Sequence, residues 1–497
     1  MGVDPRDVEP GELVIGFVAP LGTDFDRLIR IARQCLVDFA YEAKMYRLSE
    51  FFKDLAPRLP DLAAPTAEFE GKSAAYRQKR AAMDAGDAIR MRTETREIMA
   101  FYAAARIHAV RTVRDAGRAP MPRTAHLLRS LKRPEEVECL RRIYRSRFLL
   151  ISVFVPREDR LRHLIDSGLT EVEALELVVR DEVDAGNKKY GQATAETFQL
   201  GDFFIDGRPQ PEDETRKVLR RFFELVFGSP RITPTRDEHA MFMAFAASLR
   251  SGDLSRQVGA VVVSEDGTLL AEGANDAPRF KGGQYWPGPE DRRDIVREVD
   301  SNERIKRQMI TAILEEFAAL VPDEDPLDTA KQRLGKTGLL DITEFGRAVH
   351  AEMAALLSCA RMGVATRKRS LYCTTFPCHN CAKHIVAAGI RRVIFIEPYP
   401  KSRALELHED AISLAAEVDD KVAFSPFEGV GPRRYVDLFA LRDMLGSPVT
   451  RKDGRLSTWA ARDALPALRE PMVTYLEEEA WAQTQLDLLT ERRDETA

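Results

Sequence analysis

Two hydrophobic periods alternate along this chain. Glu12 to Val18 (ELVIGFV) is a short apolar run rich in branched residues, which predicts a buried strand. Pro20-Leu21-Gly22-Thr23 turns the chain, and Asp24 to Phe39 then sets Phe25, Leu28, Ile29, Ile31, Ala32 and Cys35 at helical spacing. Strand, glycine turn and helix in that order open an α/β nucleotide-binding unit. Pro57 to Lys79 mixes proline, alanine and charge and reads as a loop or weak helix; Thr95 to Val113 is helical again. Phe148 to Val155 is a second buried strand, closed by Pro156 and followed by a helix from Asp159 to Ile165. Phe203 to Ile205 is a short strand and Thr215 to Phe227 an amphipathic helix. The alternation predicts an α/β domain with a parallel-type sheet over residues 1–228.

Gly228-Ser229-Pro230 to Pro234 marks the expected boundary, and residues 229–497 are expected to form the second domain. Asp237 to Leu249 reads as a helix. Val258 to Ser264 and Leu269 to Gly273 read as a hairpin closed by Glu265-Asp266-Gly267-Thr268. An insertion, residues 278–345, carries Gly-Gly-Gln-Tyr-Trp-Pro-Gly-Pro and a helix from Arg304 to Leu320. A helix from His350 to Ala360, a strand from Arg369 to Thr374, a helix from Cys378 to Ala388 ended by Gly389, and a strand from Arg392 to Ile396 follow. Residues 445–497 are charged and helical in pattern.

Composition changes this picture little. Apolar residues make up 44% and charged residues 31%, ample for globular cores. The net charge of −5 gives no global basic footprint for a nucleic acid. The longest apolar run, Phe148 to Val155, is far short of the roughly 20 residues that span a bilayer. The first residues lack the basic-then-apolar order of a signal peptide. Gly2 raises N-myristoylation, but Arg6 stands where Ser or Thr is wanted. Six cysteines in so long a chain predict a reduced, cytoplasmic protein; Cys35, Cys139, Cys359 and Cys373 read as core residues.

The chemistry concentrates in His350-Ala351-Glu352 and Pro377-Cys378-His379-Asn380-Cys381. H-x-E followed by P-C-x-x-C is the signature of zinc nucleobase deaminases. Its metal ligands would be His350, Cys378 and Cys381, which leave a fourth tetrahedral position open, as a catalytic rather than a structural Zn2+ site does. Cys378 and Cys381, at i and i+3, share one helix face. Glu352 would be the catalytic proton carrier. Two residues apart in mid-helix, His350 and Glu352 would diverge, so His350 is expected at a helix start. His379, His384 and His408 read as bystanders.

Residues 236–440 resemble the deoxycytidylate deaminase family in Arg256-Gln257-Val258-Gly259-Ala260-Val261, Gly273-Ala274-Asn275-Asp276, His350-Ala351-Glu352, and Leu371-Tyr372 through Ile385. The resemblance implies a cytidine-deaminase-like α/β/α sandwich with a helical C-terminal tail. It gives Asn275 a contact to the deoxyribose and the Ala351 N–H a contact to the pyrimidine carbonyl. Glu12 to Asp24, Leu131 to Glu136, Thr233 to Glu238 and Glu397 to Ser402 further resemble the bacterial anti-phage dCTP deaminases, which fuse a P-loop, kinase-like domain to a deaminase. That implies hydrolytic deamination of dCTP to dUTP, and of dCMP to dUMP as a second reaction, with release of ammonia, depleting the nucleotide pool during infection. It also implies a homo-oligomer, with a nucleotide or a non-coding RNA as regulator and no membrane partner. A polynucleotide-editing deaminase and a housekeeping dCMP deaminase regulated by its N-domain share the same chemistry. In the N-domain, Gly16, Gly22 and Thr23 are the nucleotide-binding candidates. The loop departs from a Walker A motif because Leu21 and Gly22 stand where Gly and Lys belong. Cations for a triphosphate could come from Arg256, Lys281, Arg292, Arg293, Lys401, Arg403, Arg433 and Arg434, with Arg256 and Lys401 as the substrate-binding choices.

Overall fold

The computed structural model describes residues 11–55, 69, 71–115, 120–187, 191–316, 345–399, 402–414, 420–441, 451–452, 455–456, 458–467 and 475–491. They group into two compact units, Met1–Glu238 with Phe427–Ala497, and His239–Pro426.

The first unit is built on a parallel sheet. Its strands are β1 (Leu13–Val18), β2 (Glu42–Arg47), β3 (Thr124–Arg129), β4 (Phe148–Phe154) and β5 (Phe203–Asp206), in spatial order β2-β3-β1-β4-β5. A short strand, Gly429–Val430, closes the β5 edge antiparallel. The continuous apolar run of β1 follows from burial on both faces. Leu13, Ile15 and Phe17 face one core, with the helices Phe25–Val37 and Glu212–Val226; Val14 and Val18 face the other, with the helices Ile98–Asp115 and Pro134–Tyr144. Since β1 lies between β3 and β4, the chain leaves it toward one side and later returns to the other, so a switch point falls at its carboxyl end.

The second unit has a mixed sheet of β6 (Gly259–Val263), β7 (Leu269–Ala274), β8 (Ser370–Thr375), β9 (Arg392–Glu397), β10 (Ile412–Ser413) and β11 (Val422–Pro426), ordered β10-β11-β9-β8-β6-β7. β6 pairs antiparallel with β7 and β8, while β8, β9, β11 and β10 run parallel. The helix Ala351–Met362 presses on β7 at Gly273. A Cβ there would sit 2.5 Å from the Ala355 nitrogen and against the Ala351 carbonyl. Gly273→Ala should therefore push this helix off the sheet, costing about 1–3 kcal/mol of stability and lowering activity, read by thermal melts beside an activity assay.

The expected domain limits are corrected at both ends. The first unit runs to Glu238 rather than residue 228, because the Glu238 carboxylate takes two N–H groups of Arg221 at 2.7 Å and the Val430 N–H at 2.9 Å. Residues 427–497, expected with the deaminase, group with the first unit. Tyr475, Ala482 and Leu486 of the helix Tyr475–Glu491 complete the core on the Val14 face. Of the tail's described residues, that helix alone is regular beyond a two-residue hairpin, Arg451–Lys452 with Arg455–Leu456. In the insertion, the helix runs Ser301–Glu316, and residues 317–344 lie outside the described set. Ala74–Thr93 is a firm helix capped by Ser73, overlapping the stretch read as loop or weak helix.

Candidate functional site

The local sequence dictates how the site is assembled. His350 is the N-cap of the helix Ala351–Met362, with extended backbone (φ −61°, ψ 151°), so Glu352 falls in the first turn and turns back toward it. The helix-start position required by the H-x-E spacing is the one observed. Cys378 is likewise the N-cap of the helix His379–Ala387, which follows β8 through Phe376-Pro377, and Cys381 lies one turn in. Both cysteine sulfurs stand 3.4 Å from His350 Nδ1, and the three ligand atoms all lie within 4.8 Å of one another. Tetrahedral zinc bonds of the usual lengths set nitrogen and sulfur ligands about 3.5 Å apart, so this N,S,S donor set fits zinc.

The proton arrangement points the same way. The hydrogen bond with Cys378 lifts His350 to about 9, against the effect of burial. Cys378, accepting from Cys381 and from His350, is brought down to about 4. Donation to Cys378, and burial, push the Cys381 thiol well up. These shifts arise from the hydrogen bonds among the three donors themselves, and a metal would bind them in their deprotonated forms. Glu352, 4% exposed, is pushed up by burial and is no ligand.

Around this centre the other candidates fall unequally. An isolated bridge, Asp276 with Val349, sets Asn275 beside the His350 turn. The Asn275 amide braces the backbone: Oδ1 accepts from the Val258 N–H at 2.7 Å, and Nδ2 donates to the Arg256 carbonyl at 2.6 Å. That leaves one N–H and one lone pair for a ligand. Ala351 is buried at the first helical position, where the backbone N–H has no acceptor within the helix. Arg256 pairs with Glu397 at 2.9 Å and lies over the Tyr399 ring, with its side chain half exposed. Ser402 Oγ donates to the Pro377 carbonyl at 2.8 Å, tying the segment after β9 to the cysteine turn. Lys401 itself lies outside the described residues.

Several candidate cations do not join the site. Arg293 is buried and neutralised by Asp291 and Asp276, Arg403 pairs with Glu406, and Arg433 and Arg434 belong to the first unit. Lys281 and Arg292 are exposed on the insertion. Sequence reading missed Cys373, taken as plain core: its buried thiol hydrogen-bonds the Glu352 carboxyl. It also missed Asp253, whose charge acts on His350 and whose Oδ1 accepts the Arg256 N–H. In the first unit, Gly16 packs against Leu131 and Phe148, Gly22 has φ +93° against the Arg160 backbone, and Thr23 Oγ1 donates to the Pro20 carbonyl.

Comparison with known proteins agrees with this geometry. Residues 234–397 match the family model described as the cytidine and deoxycytidylate deaminase zinc-binding region. ComE operon protein 2 of Bacillus subtilis is 44% identical over 66 residues, covering 13% of this chain and 35% of its own. The deoxycytidylate deaminase of enterobacteria phage T4 is 38% identical over 55 residues, covering 11% and 28%. That of Mus musculus is 25% identical over 196 residues, covering 39% and 80%. This chain thus spans about a third of the length of the bacterial and phage relatives. The structure of the cyanophage S-TIM5 dCMP deaminase with dCMP and dUMP aligns at 20% identity and a TM-score of 0.24, over 40% of this chain and 100% of that one. Among the described residues no helix is long and apolar enough to cross a membrane. Residues 234–397 of this chain are thus similar to the zinc-binding region of the cytidine and deoxycytidylate deaminases.

Proposed function

We propose that this protein hydrolytically deaminates deoxycytidine nucleotides, dCTP foremost and dCMP as a second substrate, to the deoxyuridine nucleotides and ammonia. The observation that carries the reading is a buried carboxyl, Glu352, two residues from His350, the N-cap of the same helix, whose Nδ1 converges with the sulfurs of Cys378 and Cys381. His350, Cys378 and Cys381 would hold zinc, which supplies an activated water at neutral pH when bound. Glu352 would pass one proton of that water to the ring nitrogen as the oxygen adds to the amino-bearing carbon, then take the remaining hydroxyl proton and pass it to the amine, which leaves as ammonia as the carbon–nitrogen bond breaks. Burial suits it to both tasks, because a raised carboxyl pKa keeps proton gain and loss close in energy. The Ala351 N–H would polarise the pyrimidine carbonyl, the remaining Asn275 amide positions would meet the sugar, and Arg256 and Lys401 are the cations chosen for the phosphates.

The first unit reads as a P-loop-like regulatory domain in which Gly16, Gly22 and Thr23 shape the loop after β1. The parallel sheet with a switch point at β1 supports this. The resemblance to anti-phage enzymes further makes the chain a cytoplasmic homo-oligomer that drains the dCTP pool during infection, under a nucleotide or non-coding RNA regulator. Purified protein is expected to release ammonia from dCTP faster than from dCMP. It should leave cytidine within a short DNA or RNA strand unchanged. Ammonia from the strand and none from free nucleotides would replace this reading with a polynucleotide-editing one.

A further inference from the structure

We propose that the crevice at the carboxyl ends of β1 and β3 is a binding site for the polyphosphate of a nucleotide, with Lys132 as its cation, and that Asp181 holds it closed. This deepens, and rests on, the P-loop-like reading of the first unit. The loop after β1 lacks the Walker lysine, but the loop after β3 supplies one. Lys132 Nζ lies 3.1 Å from the Ala19 carbonyl and 3.1 Å from Asp181 Oδ1. The other carboxylate oxygen, Asp181 Oδ2, accepts the Leu21 N–H at 2.8 Å. One buried carboxylate thus bridges a loop N–H and an ammonium, the two kinds of donor that a phosphate oxygen uses in such loops. Asp181 stands in for the phosphate.

The lining is built for more than this one carboxylate. Arg160 is 6% exposed and abuts Gly22, where a Cβ would lie 2.7 Å from the Arg160 carbonyl. Its guanidinium bonds Glu182, yet Nε and Nη1 have no hydrogen-bond partner among the described residues. Ala193, whose N–H donates to the Lys132 carbonyl at 2.9 Å, is flanked by Gln192 and Thr194. Both are more than nine-tenths buried, with Oε1 and Oγ1 unpartnered. Buried polar atoms are normally satisfied, so two free guanidinium donors and two free oxygens beside the Lys132 loop mark a polar ligand site. The end of the helix Phe25–Val37 contributes less, because Asp24 already caps it. Glu182 balances the charge of Arg160, whose free N–H groups remain as donors, so the site's cation is Lys132, which Asp181 cancels until it is displaced.

Calorimetric titration of the full chain with inorganic pyrophosphate tests this. Wild type should bind weakly, and Asp181→Asn at least tenfold more tightly. Adding Lys132→Met to Asp181→Asn should erase the gain. Asp181→Ser, checked like the others by circular dichroism, replaces the Asn variant if that fails to fold. Equal binding by wild type and the folded Asp181 variant would overturn the closure by Asp181 while leaving the P-loop-like reading in place. No binding by either would overturn both.

Discussion

Glu352→Gln is expected to lower deamination by on the order of 10²–10⁴-fold, the range for losing a positioned general acid–base group, while leaving the zinc content at one per chain. Glutamine keeps the shape and can still hydrogen-bond Cys373, which touches the carboxyl, but it cannot pick up and release a proton. The donors His350, Cys378 and Cys381 remain as they were, because Glu352 is not among the three atoms that converge. Cys378→Ala should behave differently: with two donors left, zinc and turnover fall together. Elemental analysis beside an ammonia assay separates the two variants. Substantial turnover in zinc-loaded Glu352→Gln would mean that another group carries the proton, and the mechanism would fail.

This contrast reflects what could be read from residues alone. The metal site was legible because its chemistry is local: H-x-E works only at a helix start, and Pro377 before Cys378 marks another. The observed N-caps at His350 and Cys378 obey both constraints. Asn275 was not legible in the same way. The resemblance gives it a sugar contact; that its amide also braces the Arg256 and Val258 backbone, 19 and 17 residues away, depends on a pairing that only the folded hairpin creates. The strands β2 and β3 escaped detection for a related reason. β2 (EAKMYR) is a sheet-edge strand that is partly exposed on both faces, so it shows no clean alternation. β3 (TAHLLR) carries a histidine that is fully buried because Glu12, 114 residues earlier, receives it at 3.1 Å. The last helix was read as a helix but placed with the wrong unit, since its partner residues lie at the far end of the chain.

That helix is held by a charge cluster whose disruption should be the most damaging single change to the first unit. Arg111, 1% exposed, donates to Glu12 Oε2 at 2.8 Å and, bidentately, to Glu479 of the helix Tyr475–Glu491. Tyr475 Oη donates to Glu12 at 2.7 Å, and the guanidinium lies over the Tyr475 ring. Two buried carboxylates share one cation, so they cannot be equal. Burial opposes ionisation of Glu12, but His126 and Arg111 hold its pKa below the usual value, whereas burial pushes Glu479 up to about 7. Arg111→Met keeps much of the side-chain volume yet strands both carboxyl groups without a cation, and breaking a buried pair in this way costs about 3–5 kcal/mol. Glu479→Gln should cost clearly less. With a pKa near 7, Glu479 is already partly neutral at neutral pH, and glutamine resembles that form while Arg111 keeps Glu12. Urea denaturation of the two variants, with limited proteolysis to follow release of residues 475–491, provides the comparison. If Glu479→Gln destabilises as much as Arg111→Met, the ionised Glu479 rather than the shared guanidinium is what fastens the C-terminal helix to the first sheet.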